Sequence, residues 1–198
     1  MMKLNKILVL AMFLVGLSLY ADNDGLQTDM TTMNMQDFRS AMRLYDKEMY
    51  SRSKVMFDRI SKHSGTADPA GYSLLCDVRV DKHGYEYDLM RFLVEYPHSA
   101  LIPQIKFYHA LNLFDKQNYN EASRLFYELN DKQLYRDQKI EYTFKKAYTD
   151  LEKGQLQSAR EGFAEVEKSR FSDYTAPSRY GKYNFTHFIA ANPLDNGF

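Results

Sequence analysis

Tryptophan is absent from this 198-residue chain, cysteine occurs once, proline five times and glycine nine times. A single cysteine excludes an intrachain disulfide framework and any zinc cluster built on thiolates. Neither sign of charge is in excess, because 26 Lys and Arg balance 26 Asp and Glu. A nucleic-acid partner, which needs a basic face, is therefore not expected. G-x-G-x-x-G, the P-loop, H-E-x-x-H and G-x-S-x-G are all missing, and no carboxylate pair stands out from the solvated charges. The five histidines (His63, His83, His98, His109, His187) are scattered, with no i, i+4 pair at metal-ligand spacing. Neither catalysis nor a cofactor is expected. What the chain does have is apolar material: 44% hydrophobic residues, including 16 Tyr and 13 Phe, enough to build a core.

Residues 1–21 combine Lys3 and Lys6, the apolar run Ile7–Leu19, and Ala21 before Asp22. The run is shorter than the ~20 residues that a membrane-spanning helix needs. The pattern predicts a secretory signal peptide and export, most simply to a bacterial periplasm, with at most an indirect membrane association. The alternative is an uncleaved anchor, since Leu19 is large for its place before the cut. Residues 22–33 are polar, carry Gly25 and lack periodicity, so they read as a linker.

From residue 34 the chain repeats itself. A small residue is followed after nine positions by an aromatic or Leu, then by a second site, then by Phe. The units read Ala41, Tyr50, Ser53, Phe57; Cys76, Tyr85, Asp88, Phe92; Ala110, Tyr119, Ala122, Phe126; and Ala147, Leu156, Ala159, Phe163. The steps between the phenylalanines are 35, 34 and 37 residues, a period that belongs to helix–turn–helix arrays. Small residues on facing helices let their axes approach, and a Phe four positions later on the second helix fills the space between the pair. Lys116–Asn120 and Glu152–Gln155 supply turns, Pro69 and Pro103 open first helices, and Tyr96-Pro97 stops one. The expected fold is all-α, an αα superhelix of about four helix pairs. Their bounds are about 34–66, 69–101, 103–139 and 140–175, and 176–198 form a degenerate fifth unit or tail.

The segments GYEYDLMRF, QNYNEASRLF and KGQLQSAREGF resemble the second-helix signature of tetratricopeptide (TPR) repeats. With EYPHSALIPQIKFYHALNLF and SDYTAPSRY, their order is similar to exported TPR proteins of Gram-negative envelopes, including the BamD-type assembly lipoproteins. The resemblance covers about residues 34–180. It implies a right-handed superhelix whose first helices line a concave face that holds an extended or helical peptide. Two departures stand out. Asp88 occupies a slot that is usually Ala, and no lipid-attachment cysteine is present near the leader's cut. The resemblance also implies a longer array. In the tail, Gly181, Asn184 and Pro193 weaken a fifth pair. Tyr180, Tyr183, Phe185, Phe188 and Ile189 then either fold back on the fourth repeat, pair with another chain, or stay unordered.

The functional reading is a non-enzymatic scaffold that binds envelope proteins or peptides. Its candidate contacts are Phe38, Tyr45, Phe107, Leu111, Phe114, Phe144 and Tyr148, an aromatic stripe along first helices, with Tyr148, Tyr45 and Phe107 expected to be partly exposed. A one-residue change of register decides between core and groove for each ring. Two alternatives stay open. One is soft-metal handling by the Met30, Met33 and Met35 thioethers, which suit Cu(I). Against it, Met42, Met49 and Met56 recur at seven-residue steps that suit packing. The other is a truncated family member that binds nothing. Cys76, in a small-residue slot, reads as a packing group.

Overall fold

In the computed structural model the described residues are 35–169, 173–175 and 177–179, with the side chain of residue 137 left aside. The leader, the linker, Met30, Met33 and the aromatic tail from Tyr180 onward lie outside them. Every regular element among the described residues is helical. First helices are α1 (residues 35–46), α3 (Ala67–Arg79), α5 (Ile102–Asp115) and α7 (Arg136–Glu152). They alternate with second helices α2 (Tyr50–Ser64), α4 (Tyr85–Glu95), α6 (Tyr119–Glu128) and α8 (Leu156–Lys168). α2 packs on α3, α3 on α4, α5 on α6, α6 on α7 and α7 on α8; α5 also touches α3 and α7, and α1 meets α3 through Tyr72, so the first helices form one layer.

The repeated small residues and phenylalanines are the core. Ala41, Ser53, Phe57, Ala110, Ala122, Phe126 and Ala159 have no solvent exposure, and Cys76, Ala147 and Phe163 are nearly as buried. Small side chains bring the paired backbones close enough that the Ser53 hydroxyl donates to the Ala41 carbonyl at 2.9 Å. Within the first pair the Phe57 ring meets Phe38 edge-on at 5.5 Å, and between successive pairs it stacks on Tyr72 of α3 at 5.3 Å. The Tyr142 hydroxyl of α7 donates to the Phe126 carbonyl of α6 at 2.9 Å.

Three first helices end alike. Glu48, Gln117 and Gly154 take left-handed φ values of 58°, 61° and 73°. After α1, the N–H groups of Glu48 and Met49 return to the carbonyls of Tyr45 and Leu44; the same pair of bonds closes α5 and α7. In α3 this closure comes two positions early. Asp81 is the left-handed residue (φ 47°), and Asp81 and Lys82 N–H bond to Val78 and Asp77. The link to α4 is correspondingly longer and needs a second left-handed residue, Gly84 (φ 83°).

The Asp88 departure has a visible consequence. A carboxylate cannot take the buried small-residue slot without a buried cation, so Asp88 sits partly exposed on Arg91 at 2.8 Å and Leu89 enters the core instead. Between α2, α3 and α4 lies an open cleft of about 300 Å³. Its floor is polar. Buried Asp77 pairs with Lys54 at 3.2 Å and Lys82 at 3.3 Å, while Lys54 also reaches Asp58 at 3.2 Å and Ser73 at 2.9 Å. Burial works against the Lys54 charge, but the Asp58 and Asp77 carboxylates more than offset it and hold the ammonium protonated.

Two expected boundaries shift. The fourth pair begins at Arg136 rather than 140, because Gln138 reaches back to accept from the Tyr135 N–H at 3.0 Å and starts the helix a turn earlier. After α8, the described residues 173–175 and 177–179 return to α7: the Tyr174 hydroxyl donates to Glu141 at 3.0 Å, its ring lies 4.9 Å from Phe144, and Ser178 is buried. These described residues thus fold back on the fourth repeat.

Candidate functional site

α1, α5 and α7 present aromatics or Leu at positions flanking their small residues, α3 has Ser73 and Asp77 there with Val80 just past its end, and the layer of first helices brings the apolar side chains into two clusters. At one end, Tyr45 of α1 lies edge-on to Tyr50 at 5.3 Å and to Tyr72 at 5.5 Å, and Phe38 reaches the same Tyr72 at 5.8 Å. Farther along, Phe114 of α5 meets Tyr119 at 5.5 Å and Tyr148 of α7 at 5.3 Å, with Leu111 beside them in the same helix. The Lys145 ammonium stands 4.1 Å from the Phe114 ring centre. Phe38, Tyr45, Leu111, Phe114, Phe144 and Tyr148 are all partly exposed. Phe144 is engaged by Phe163 at 5.8 Å and Tyr174 at 4.9 Å.

Phe107 corrects the expected stripe. It is 0% exposed, packed with Ala110, Ala122 and Phe126 in the third pair, so no partner reaches it. In α5 the slot three residues before the small residue faces the core. Here α5 has α3 on one side and α7 on the other.

One residue absent from the expected set sits at the centre of the first cluster. The Arg79 guanidinium of α3 lies 4.3 Å from the Tyr108 ring centre and 5.0 Å from that of Tyr50, with Glu48 at 3.5 Å. Burial opposes its charge, but the neighbouring phenol groups of Tyr108, Tyr50 and Tyr45 outweigh that and keep it protonated. Tyr45 and Tyr50 are themselves held above the ordinary phenol range, chiefly by burial, and stay neutral. A signal for Arg79 existed in the sequence. Three residues after the small residue the repeats read Leu44, Arg79, Leu113, Asp150, and the two polar members break an otherwise apolar column.

The second-helix side differs in kind. On α4, Tyr87, Met90 and Val94 are 73%, 68% and 83% exposed and share one face by their i, i+3, i+7 spacing. Cys76 is buried and its thiol is pushed up to about 11, chiefly by burial, which suits packing and not nucleophilic attack. Of the Met cluster only Met35 is described: it is exposed, and its sulfur accepts from Arg39 at 3.8 Å. No group of His, Cys, Asp and Glu among the described residues is placed to hold a metal ion, and no helix among them is long and apolar enough to cross a membrane. No family model matches the chain, and no curated protein matches it.

Proposed function

We propose that this chain is a TPR-type scaffold, exported to the cell envelope, that holds a segment of a partner protein along the face of its first helices and carries out no chemistry. The supporting observation is the continuity of that face. First helices contact each other directly, and Tyr45, Leu111, Phe114 and Tyr148 keep part of their surface open beside the cations Arg79 and Lys145. Rigid aromatic side chains next to guanidinium and ammonium groups make effective anchors for a peptide at little entropic cost. The leader-like residues 1–21 support export. Cu(I) handling would rest on Met30, Met33 and Met35.

The test is photo-crosslinking in the producing cell, with benzoylphenylalanine placed singly at Leu111, Tyr148, Met90 and the exposed Glu161 of α8. Partner adducts at Leu111 and Tyr148, and none at Glu161, support the reading. Adducts at all four sites alike, or at none, end it. A second reading is favoured by the stripe on α4, since an apolar helix face left uncovered by folding marks contact surfaces. Adducts confined to Met90 would move the partner to that side.

A further inference from the structure

Tyr85, His109 and Asn112 form a polar junction between the second and third helix pairs. Tyr85, the first residue of α4, is buried, and its hydroxyl lies 2.6 Å from His109 Nδ1 on α5. The two rings meet edge-on at 5.5 Å. Asn112, one turn further along α5, donates through Nδ2 to the Tyr85 oxygen at 3.2 Å and to the Val78 carbonyl, in the last turn of α3, at 2.8 Å. Three helices thus converge on three side chains and one carbonyl.

The proton inventory of this junction closes in one way. Both hydrogens of the Asn112 amide are used, one on Val78 and one on Tyr85. The single Tyr85 hydroxyl hydrogen must then go to His109 Nδ1, which has to be bare, with the imidazole proton on Nε2. A second proton on the ring would fall on Nδ1 and face the phenol oxygen. Tyr85 would then receive two donors while its own hydrogen lost its acceptor in a buried setting. Ionising Tyr85 offers no escape, because burial pushes that phenol up to about 12.

We propose that the Tyr85–His109–Asn112 junction is an acid-operated hinge, closed when the His109 ring is neutral and released when it takes a proton, so that α4 and the pairs before it turn against the pairs after it. The place suits such movement. The junction lies on the boundary that turns, with Val78 and Tyr85 of the second pair on one side and His109 and Asn112 of the third on the other. Four charged groups reach His109. Burial is the largest influence and, with Lys116 at the end of α5 and Arg124 of α6, opposes protonation; Glu86 of α4 and Asp81 of the link favour it without overcoming that, so the ring is held below its ordinary 6.5. The sign follows. A depressed histidine leaves the closed form at full strength above pH 6.5, and that strength is lost as pH falls below 6.5 through the titration of His109 itself.

The experiment uses the full chain with spin labels at Val55→Cys on α2 and Asn120→Cys on α6, both exposed positions. Distance distributions are read at pH 7.5 and 4.5, with circular dichroism confirming helix at both. The wild-type distribution shifts or broadens in acid. His109→Gln, whose uncharged amide oxygen still accepts from Tyr85, keeps the pH 7.5 distribution at pH 4.5, and His109→Arg shows the open distribution at both. Equal acid response in wild type and His109→Gln, or none in wild type, overturns the hinge. Should the variants not fold, nuclear magnetic resonance titration of the unsubstituted protein decides. A His109 midpoint below 6.5, coinciding with shift changes at Tyr85 and Asn112, supports it, and a midpoint at or above 6.5, or no coincident change, refutes it.

Discussion

Close approach of α7 and α8 is the feature of this fold that a single methyl group can test. Gly162 of α8 faces Ala147, and a Cβ built on it would lie 2.7 Å from the Ala147 Cβ, 3.5 Å from its Cα and 3.6 Å from the Thr143 carbonyl oxygen. Carbon atoms rest at about 3.5–4.0 Å, so Gly162→Ala leaves a shortfall of roughly 1 Å against an atom fixed to the backbone. Overpacking of this kind costs about 1–3 kcal/mol, while replacing a mid-helix Gly by Ala returns about 1 kcal/mol. The expected net is a loss of about 1 kcal/mol, or a melting temperature lower by about 2–4 °C. Removing the obstacle reverses the sign: on an Ala147→Gly background the same substitution meets no methyl and should stabilise by about 1 kcal/mol. The double-mutant cycle therefore carries a coupling near 2 kcal/mol. Urea unfolding of the four proteins measures it, with amide exchange in α7 and α8 as the local readout, because repeat arrays can open in parts. Gly162→Ala acting with the same sign in both backgrounds would refute the close-packing argument. Gly71 is the control. Its built Cβ meets the Leu101 Cδ1 at 2.6 Å and the Phe92 Cζ at 3.0 Å, the far ends of side chains that can turn aside, so Gly71→Ala should cost less than Gly162→Ala.

Three further outcomes follow from single side chains. Cys76, buried with its thiol near 11, should resist Ellman's reagent in the native protein and react once urea unfolds it; rapid native modification would contradict its place in the core. Burial lifts the Asp150 carboxyl above its ordinary 3.8, against the pull of hydrogen bonds from Tyr127 and Ser158. A raised carboxyl contributes its stability below pH 3.8 and loses it as pH rises through the native titration. Asp150→Asn should thus gain relative stability between pH 4 and pH 7, and a pH-independent difference in melting temperature would count against that account. Asp77→Ala leaves Lys54 with Asp58 alone and frees Lys82 to solvent. Lys54 and Lys82 keep 25% and 54% of their side-chain surface, so the expected loss in chemical denaturation is about 2 kcal/mol, short of the 3–5 kcal/mol typical of fully buried pairs; no change would mean that the floor of the cleft adds nothing.

Which helix packs on which was legible in the sequence, because that information is local. Ala41, Ser53, Ala110, Ala122 and Ala159 are small at the distances where two helices of one hairpin must meet, and Phe57, Phe126 and Phe163 follow Ser53, Ala122 and Ala159 at the step that returns to the same face. The early end of α3 was not legible. Cys76 and Tyr85 keep the nine-residue spacing of the other units, yet the left-handed residue falls at Asp81, since the count of residues fixes the start of the next helix and not the point where the previous one stops. Exposure along the candidate face was legible only in part, for a reason that is not local at all. Phe38, Phe107 and Phe144 occupy the same slot of their repeats, but of the three only Phe107 is sealed, on a helix that packs against α3 and α7 together. The apolar arc of such a helix spans more than 100°, wide enough to serve the hairpin and a neighbouring repeat together. Whether a given ring ends as core or as surface is thus decided by what stacks beside it in the array. Arg79 illustrates the converse: a charged residue in an apolar column is tolerated because Tyr50 and Tyr108, from other repeats, bring their rings within 5.0 and 4.3 Å of its guanidinium. No spacing within one repeat contains that arrangement; it exists only once three repeats are assembled.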